Sequence, residues 1–250
     1  MLSLRQINLT LGKNTKLQRK VLNDLDLEVK PGEFNIIVGG NGAGKSSLFN
    51  VIAGYMQPDA GQILFAQQDV TNASQRKRAP IIAKVMQDPR IGTIENMTIL
   101  ENLAFAYKRG AKRSLLPFAN ARRRKYFQQQ LARLNMGLEN RLDELVINLS
   151  GGQRQALSLI MAIIADCKIL LLDEITAALD PTMAQQVMQI ANAIVREQGY
   201  TCLMITHNMQ HAIEYGDNIL VLKDGKFVRK FDAQQKRQLT THELAASLHN

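Results

Sequence analysis

Gly39 to Ser46 reads G-G-N-G-A-G-K-S, which satisfies the pattern G-x-x-x-x-G-K-[ST]. Residue types at that spacing are suited to holding phosphate. Glycines let backbone N–H groups curl around a β-phosphate, Lys45 reaches the β- and γ-phosphates, and the Ser46 hydroxyl suits a magnesium ligand. A helix that opens near Gly44 turns its positive end toward the same anion. At average residue frequencies, a chance match in a chain of this length is on the order of one in a hundred. The stretch Gly39, Gly40, Asn41, Gly42, Ala43, Gly44, Lys45, Ser46 and Ser47 is therefore read as a nucleoside-triphosphate loop.

Asp173 and Glu174 close the run "ILLLDE". Ligands of parallel sheets bind beyond the carboxyl ends of the strands, and successive strand residues point in different directions. The two carboxylates can then divide the work, Asp173 toward magnesium and Glu174 toward an attacking water. His207 follows a further apolar run in "LMITHN" and can meet a γ-phosphate from the same edge, although a lone histidine is more often structural. His207 and His211 are also four apart, a zinc spacing, but a zincin needs glutamate where Asn208 stands. Gln87, in "VMQDP", is by itself a polar residue before a turn, with Pro89 ending the strand. "LSGGQ" at Leu149–Gln153 can cap a helix, with Ser150 as N-cap and Gln153 reaching back. A cap does not need Gly151 and Gly152, whereas close approach of backbone to an anion does. The chain thus offers two half-sites for phosphate.

The elements that must position these residues alternate. "FNIIVGGNGAGKSSLFNVIAG" reads as a buried strand from Phe34, a loop and a helix from about Gly44, with Pro31–Gly32 as the turn before it. From about Thr98 to Ala165 the spacing becomes helical, with Phe127, Leu131 and Leu134 on one face. "KILLLDE" is again a buried strand, followed by a helix presenting Val187, Ile190, Ala191 and Ile194, and then the strand "TCLMIT". Strands alternating with helices predict a mostly parallel sheet covered on both faces, an α/β fold. Lys223 to Gly225 predicts a hairpin turn, and Thr240 with Glu243 a capping box. One domain over residues 1–250 is expected, with a helical subdomain at about 92–165.

The chain has 250 residues, of which 46% are hydrophobic, enough for a substantial core. Its longest apolar run, from Leu159, is cut by Asp166 and Lys168, well short of the roughly eighteen residues that span a bilayer. Arg5 in the opening segment and the lack of a small-residue cleavage site predict no secretory leader. Cys167 and Cys202, without metal-ligand spacing, are expected to be buried free thiols. The net charge of +9 comes from one segment. Between Glu101 and Glu139 there is no acid, while Lys108, Arg109, Lys112, Arg113, Arg122, Arg123, Arg124, Lys125 and Arg133 all carry positive charge; the other 22 bases balance the 22 acids.

Taken in order along nearly the whole chain, these motifs resemble the nucleotide-binding subunits of ABC transporters. "GGNGAGKSS" is similar to their Walker A loop, "VMQDP" to the Q-loop, "LSGGQR" to the signature, "ILLLDE" to Walker B, "AALD" to the D-loop and "ITH" to the switch histidine. The resemblance implies a P-loop core with antiparallel strands at its N-terminus. It implies that two such domains sandwich two ATP molecules, each γ-phosphate lying between Lys45 of one and Ser150, Gly151 and Gly152 of the other. It further implies that Glu174 is the general base and that Asp173 and Ser46 hold Mg2+. Gln87 would sense the metal and couple to the membrane subunit, His207 would steady the γ-phosphate, and Asp180 would bridge the protomers. Asp180 also precedes Pro181 as a good N-cap. The location implied is peripheral, on the cytoplasmic face of the plasma membrane.

The sequence departs from the family pattern where an aromatic residue usually stacks on adenine. No Phe, Tyr or Trp precedes Phe34, and Leu11 takes that place. Ile175, after the catalytic glutamate, is a smaller departure. Within the family, "MQDPRIGTIENMTILENLAFAYKRGAKR" and "GLENRLDELVINLSGGQRQALSLIMA" most resemble ATPases of bacterial importers grouped with tryptophan/tyrosine or other amino-acid systems, which use a separate permease and an extracytoplasmic binding protein. Part of the basic segment is expected to face acidic lipid headgroups or permease loops, at about 1 kcal/mol per charge, the alternative being a solvated helix face. The competing function, a soluble ABC ATPase acting on nucleic acid or ribosomes, would direct that segment to phosphates. Neither tandem ATPase domains nor a long coiled-coil insertion supports it, and aromatics are sparse there, so no nucleic-acid partner is expected. A generic P-loop kinase is excluded by the signature motif.

Overall fold

The computed structural model describes residues 1–109 and 120–248, so Lys112 and Arg113 lie outside the described residues. These residues form two compact units, one of residues 1–78 and 198–250, the other of residues 79–197.

In the first unit, β1 (Leu2–Leu11) pairs antiparallel with β2 (Arg19–Val29), from Leu2 opposite Val29 to Leu11 opposite Arg19. Leu2, Leu4, Ile7 and Leu9 are buried; irregular steps between Leu4 and Thr10, with Gln6 at φ 49°, keep the later apolar residues on the core side. β3 (Phe34–Val38) is buried throughout and leads through the glycine loop into α1 (Lys45–Ala53). β4 (Ala60–Phe65) returns along β1, with the short β5 (Gln68–Asp69) beside it. The four-residue helix α2 (Gln75–Arg78) ends on Arg78, whose guanidinium donates to the Val51 and Ile52 carbonyls at the C-terminus of α1 and to those of Ala73 and Thr71. Carbonyls left over at a helix end are thereby satisfied by a cation.

The second unit opens with β6 (Ile82–Val85) and a helical turn, α3 (Pro89–Gly92). It continues through α4 (Ile99–Tyr107), α5 (Ala121–Ala132) and two short 3₁₀ turns into α6 (Gly151–Ile163). Phe127, Leu131 and Leu134 are fully buried, as the helical spacing predicts. β7 (Ile169–Asp173) pairs parallel with β6, Val85 opposite Leu172, and α7 (Pro181–Gln198) follows, burying Val187, Ala191 and Ile194 together with Met188. The strand before Gln87 ends at Val85, earlier than Pro89 suggests, because Pro89 is the first residue of α3 and Asp88 its N-cap.

The chain then returns to the first unit. β8 (Thr201–Ile205), α8 (Met209–Glu214), β9 (Asn218–Lys223), β10 (Lys226–Phe231), α9 (Ala233–Gln238) and α10 (Thr241–Ala246) follow in order. β3 lies between β8 and β9, parallel to both, with Phe34 opposite Cys202 and Val38 opposite Val221. Asn35 and Asn218, buried in facing positions of β3 and β9, satisfy one another through a 2.9 Å side-chain hydrogen bond. Asp224 and Gly225, both at positive φ, turn β9 into β10 as an antiparallel hairpin, and Thr240 with Glu243 forms the expected capping box of α10.

Cys167 and Cys202 are buried thiols outside any disulfide, and burial pushes the Cys167 thiol up to about 11. At pH 8 about one molecule in a thousand would carry its thiolate. Titration with an aromatic disulfide reagent at that pH should therefore find no reactive thiol in the native protein, and both thiols once the chain is unfolded in guanidinium.

The basic segment is less exposed than its composition suggests. Arg109 donates to the Ala162 and Ala165 carbonyls at the end of α6 (2.7 and 2.9 Å), Arg124 pairs with Asp143, and Arg133 with Glu197 at 2.7 Å. These three bases are engaged within the second unit, which leaves fewer for an outside surface.

Candidate functional site

In the first unit the phosphate loop joins the carboxyl end of β3 to the amino end of α1. Gly44 adopts φ 104°, and a Cβ there would stand 2.4 Å from the Val21 carbonyl oxygen, so only glycine fits. No side chain caps α1. Lys45 is 6% exposed, and its Nζ donates to the Gly39 and Gly40 carbonyls at 2.8 and 3.0 Å, which fixes the ammonium within the loop. Asn41, Gly42 and Ser46 are exposed, Ser47 is half-buried and Ala43 is buried. β8 runs parallel to β3, so His207, which is exposed just beyond Thr206, leaves the sheet at the same edge as the loop.

His207 and His211 do not make a metal pair. Asn208 caps α8 by accepting from the His211 backbone N–H at 3.0 Å, and the His211 ring packs edge-on to Tyr215. Burial pulls the His211 pKa below its ordinary 6.5, only partly opposed by Glu214.

In the second unit, Gln87 is exposed just beyond β6, and Asp173 ends the neighbouring β7. Glu174 adopts φ 48°, uncommon for a residue with a side chain, and its carbonyl accepts from Ala177 N–H as the chain turns away. Non-glycine residues held at positive φ cluster at functional sites. Ser150 begins α6 with the expected reciprocal cap, accepting from Gln153 N–H at 3.3 Å while the Gln153 side chain accepts from Ser150 N–H at 3.2 Å. The glycine pair now separates into two cases. A Cβ on Gly152 would stand 2.2 Å from Met183 Cε, the far end of a flexible side chain that would have to swing aside, whereas Gly151 has only Leu179 Cδ2 at 3.8 Å and is exposed. Gly151 therefore has no internal steric reason to be glycine. α6 is tied to the Gln87 segment by Gln155 Nε2, which donates to the Met86 carbonyl at 3.4 Å. Asp180 Oδ1 accepts from Met183 N–H at 3.1 Å, the helix-capping role its place before Pro181 suggested.

Asp173 also permits a test of metal fit. Its Oδ2 is paired with Lys84 Nζ at 2.9 Å, and its buried Oδ1 has no hydrogen-bond partner among the described residues. A carboxylate oxygen in that position suits a hard cation, and magnesium is commonly held by one carboxylate together with phosphate oxygens. Sequence reasoning missed Lys84, which stands in an apolar strand with no local motif. It also missed Arg19, directly opposite the half-exposed Leu11 on β1, whose Nη2 donates to the Gly42 carbonyl at 3.0 Å. A planar, permanently charged guanidinium thus lies against the phosphate loop of a chain that lacks the usual aromatic.

Comparison with known proteins agrees with this geometry. The ABC transporter family model matches residues 22–177, a span containing the phosphate loop, Gln87, "LSGGQ", Asp173 and Glu174. The chain belongs to the ABC transporter family. It is an ATP-binding subunit and an ATPase. It is 41% identical over 226 residues to a tyrosine transport ATP-binding protein of Clostridioides difficile, covering 90% of this chain and 89% of that relative. It is 32% identical over 229 residues to the spermidine/putrescine import ATP-binding protein PotA of Haemophilus influenzae, covering 92% of this chain and 57% of that longer relative. Among solved structures, a dimeric ATP-binding cassette in a post-hydrolysis state with ADP and Pi superposes with a TM-score of 0.80 at 27% identity, covering 93% of this chain and 99% of that one. CbiO1 of Clostridium perfringens, part of an ABC transporter complex, gives 0.79 at 27% identity over 99% and 94% of the two chains. The fold is that of these cassettes. Among the described residues no helix is long and apolar enough to cross a membrane.

Proposed function

We propose that this ATPase energises the uptake of a small solute, with an amino acid as the substrate class, from the cytoplasmic face of a bacterial plasma membrane. The observation that carries the proposal is the 41% identity to a tyrosine transport ATP-binding protein across 90% of the chain. Its partners are a transmembrane permease, an extracytoplasmic binding protein acting through that permease, and a second copy of this chain. Residues 92–165 form a helical subdomain inserted in one ATPase domain. The nucleic-acid alternative loses support because Arg109, Arg124 and Arg133 are committed within the second unit.

ATP is held by the loop Gly39–Ser47, with Lys45 on the β- and γ-phosphates. Ser46, Gln87 and Asp173 would hold Mg2+, which would supply positive charge against the phosphates. Glu174 takes a proton from water as the water oxygen bonds to the γ-phosphorus and the bond to the β–γ bridging oxygen breaks, releasing ADP. His207 donates a hydrogen bond to the γ-phosphate. Ser150, Gly151, Gly152 and Gln153 of a second copy close over the same phosphate, and Asp180 bridges the copies near the turn it caps.

Gly151 allows the composite site to be tested apart from folding. Gly151→Asp places an acid at the first helical position of α6, which stabilises an isolated helix by about 0.3–1 kcal/mol, but sets it against the γ-phosphate of the partner's ATP. The variant should melt at or slightly above the parent temperature, bind ATP through its own loop, and fail to dimerise with ATP in light scattering. ATP-driven dimerisation equal to the parent's would remove Gly151 from the site.

A further inference from the structure

Lys84 is an exception in its strand: the other residues of β6, Ile82, Ala83 and Val85, are apolar and buried. β6 and β7 are parallel, with Lys84 opposite Leu171, and the Lys84 side chain reaches the end of its neighbour to pair with Asp173. The two charged side chains are only 5% and 9% exposed, and the Lys84 ammonium engages Oδ2 while Oδ1 is buried without a hydrogen-bond partner among the described residues. A carboxylate taken out of water needs a cation or donors beside it, and a buried pair tolerates loss of one member poorly.

We propose that Lys84 is the resident counter-ion of the metal-binding aspartate, neutralising Asp173 through Oδ2 and fixing it so that Oδ1 alone is offered to magnesium. The proposal rests on the reading of Asp173 as a magnesium ligand. Its consequence is an order of loading. With Lys84 in place, the Asp173 charge is already balanced, so a divalent cation gains little from that carboxylate until the phosphates of ATP add negative charge. Metal therefore enters with the nucleotide. Lys84 is a positioning residue in this account, since it acts on the metal through Asp173.

The experiment uses the full chain without nucleotide. Thermal unfolding is followed with and without millimolar magnesium, and Mn2+ uptake is read by electron paramagnetic resonance. Lys84→Met leaves the Asp173 charge uncompensated and should melt about 6–20 °C below the parent in EDTA. Magnesium should restore most of that loss and Mn2+ should bind, whereas the parent shows neither response. Lys84→Arg, which keeps the charge, should behave as the parent. The double variant Lys84→Met/Asp173→Asn, neutral on both sides, should regain stability and ignore metal, a pattern that general damage to the core would not produce. Lys84→Met that melts with the parent and takes up no Mn2+ overturns the role of Lys84 while leaving Asp173 as a magnesium ligand. A destabilised Lys84→Met that no metal rescues overturns both together. If Lys84→Met does not fold, the other two variants decide: a stable, metal-indifferent double variant supports the proposal, and Mn2+ uptake by Lys84→Arg overturns it.

Discussion

Glu174→Gln should bind ATP as the parent does, hydrolyse it about 10²–10⁴ times more slowly, and accumulate as a nucleotide-bound dimer. The substitution keeps the volume and the hydrogen-bonding reach of the side chain but removes the only function assigned to it, acceptance of the proton from the attacking water. Glu174 is half-buried in a turn at φ 48°, a conformation glutamine adopts at similar cost, so the turn after β7 should survive. Binding and chemistry then separate. Nucleotide affinity is unchanged, single-turnover hydrolysis collapses, and the closed state that hydrolysis would open persists. Rapid quench for the chemical step and light scattering for the mass read the two effects independently. A monomer with normal turnover would show that Glu174 is not the base.

Lys45→Ala should weaken ATP binding by about 10²–10⁴-fold, because two hydrogen bonds from a charged donor to phosphate are lost at about 1.5–3 kcal/mol each. The same change takes the donor from the Gly39 and Gly40 carbonyls, which Lys45 Nζ meets at 2.8 and 3.0 Å, so the loop also loses internal support. Calorimetry of ATP binding measures the first effect and thermal unfolding without nucleotide the second. An affinity within threefold of the parent would mean that the loop grips phosphate through its backbone alone.

What could be read in the sequence was what is encoded locally. The strand from Phe34, the loop and the helix after Gly44 follow one another without a gap, and the apolar run ending at Asp173, the hairpin turn at Asp224–Gly225 and the Thr240–Glu243 cap are each equally local. Each is signalled by residues within a few positions of one another. The contacts that escaped join distant segments. Lys84 meets Asp173, and Arg19 meets Gly42, only because the fold brings their elements together. Arg78 closes the short helix Gln75–Arg78 with no local motif to mark it, yet it is 1% exposed beneath the carbonyls of α1. Gly152 looked like half of a phosphate-binding pair, and no local signal marked that the end of Met183, on the following helix, lies against it. Periodicity reports which face of an element is apolar, and does not report which distant polar group will be found against it.

The most direct test of the transporter reading is to isolate the tagged protein from gently solubilised cells and identify the chains that accompany it. A polytopic permease in near-stoichiometric yield is the predicted result, and the binding protein that serves it can then be screened against free amino acids. Ribosomal proteins or DNA in place of a permease would contradict the account.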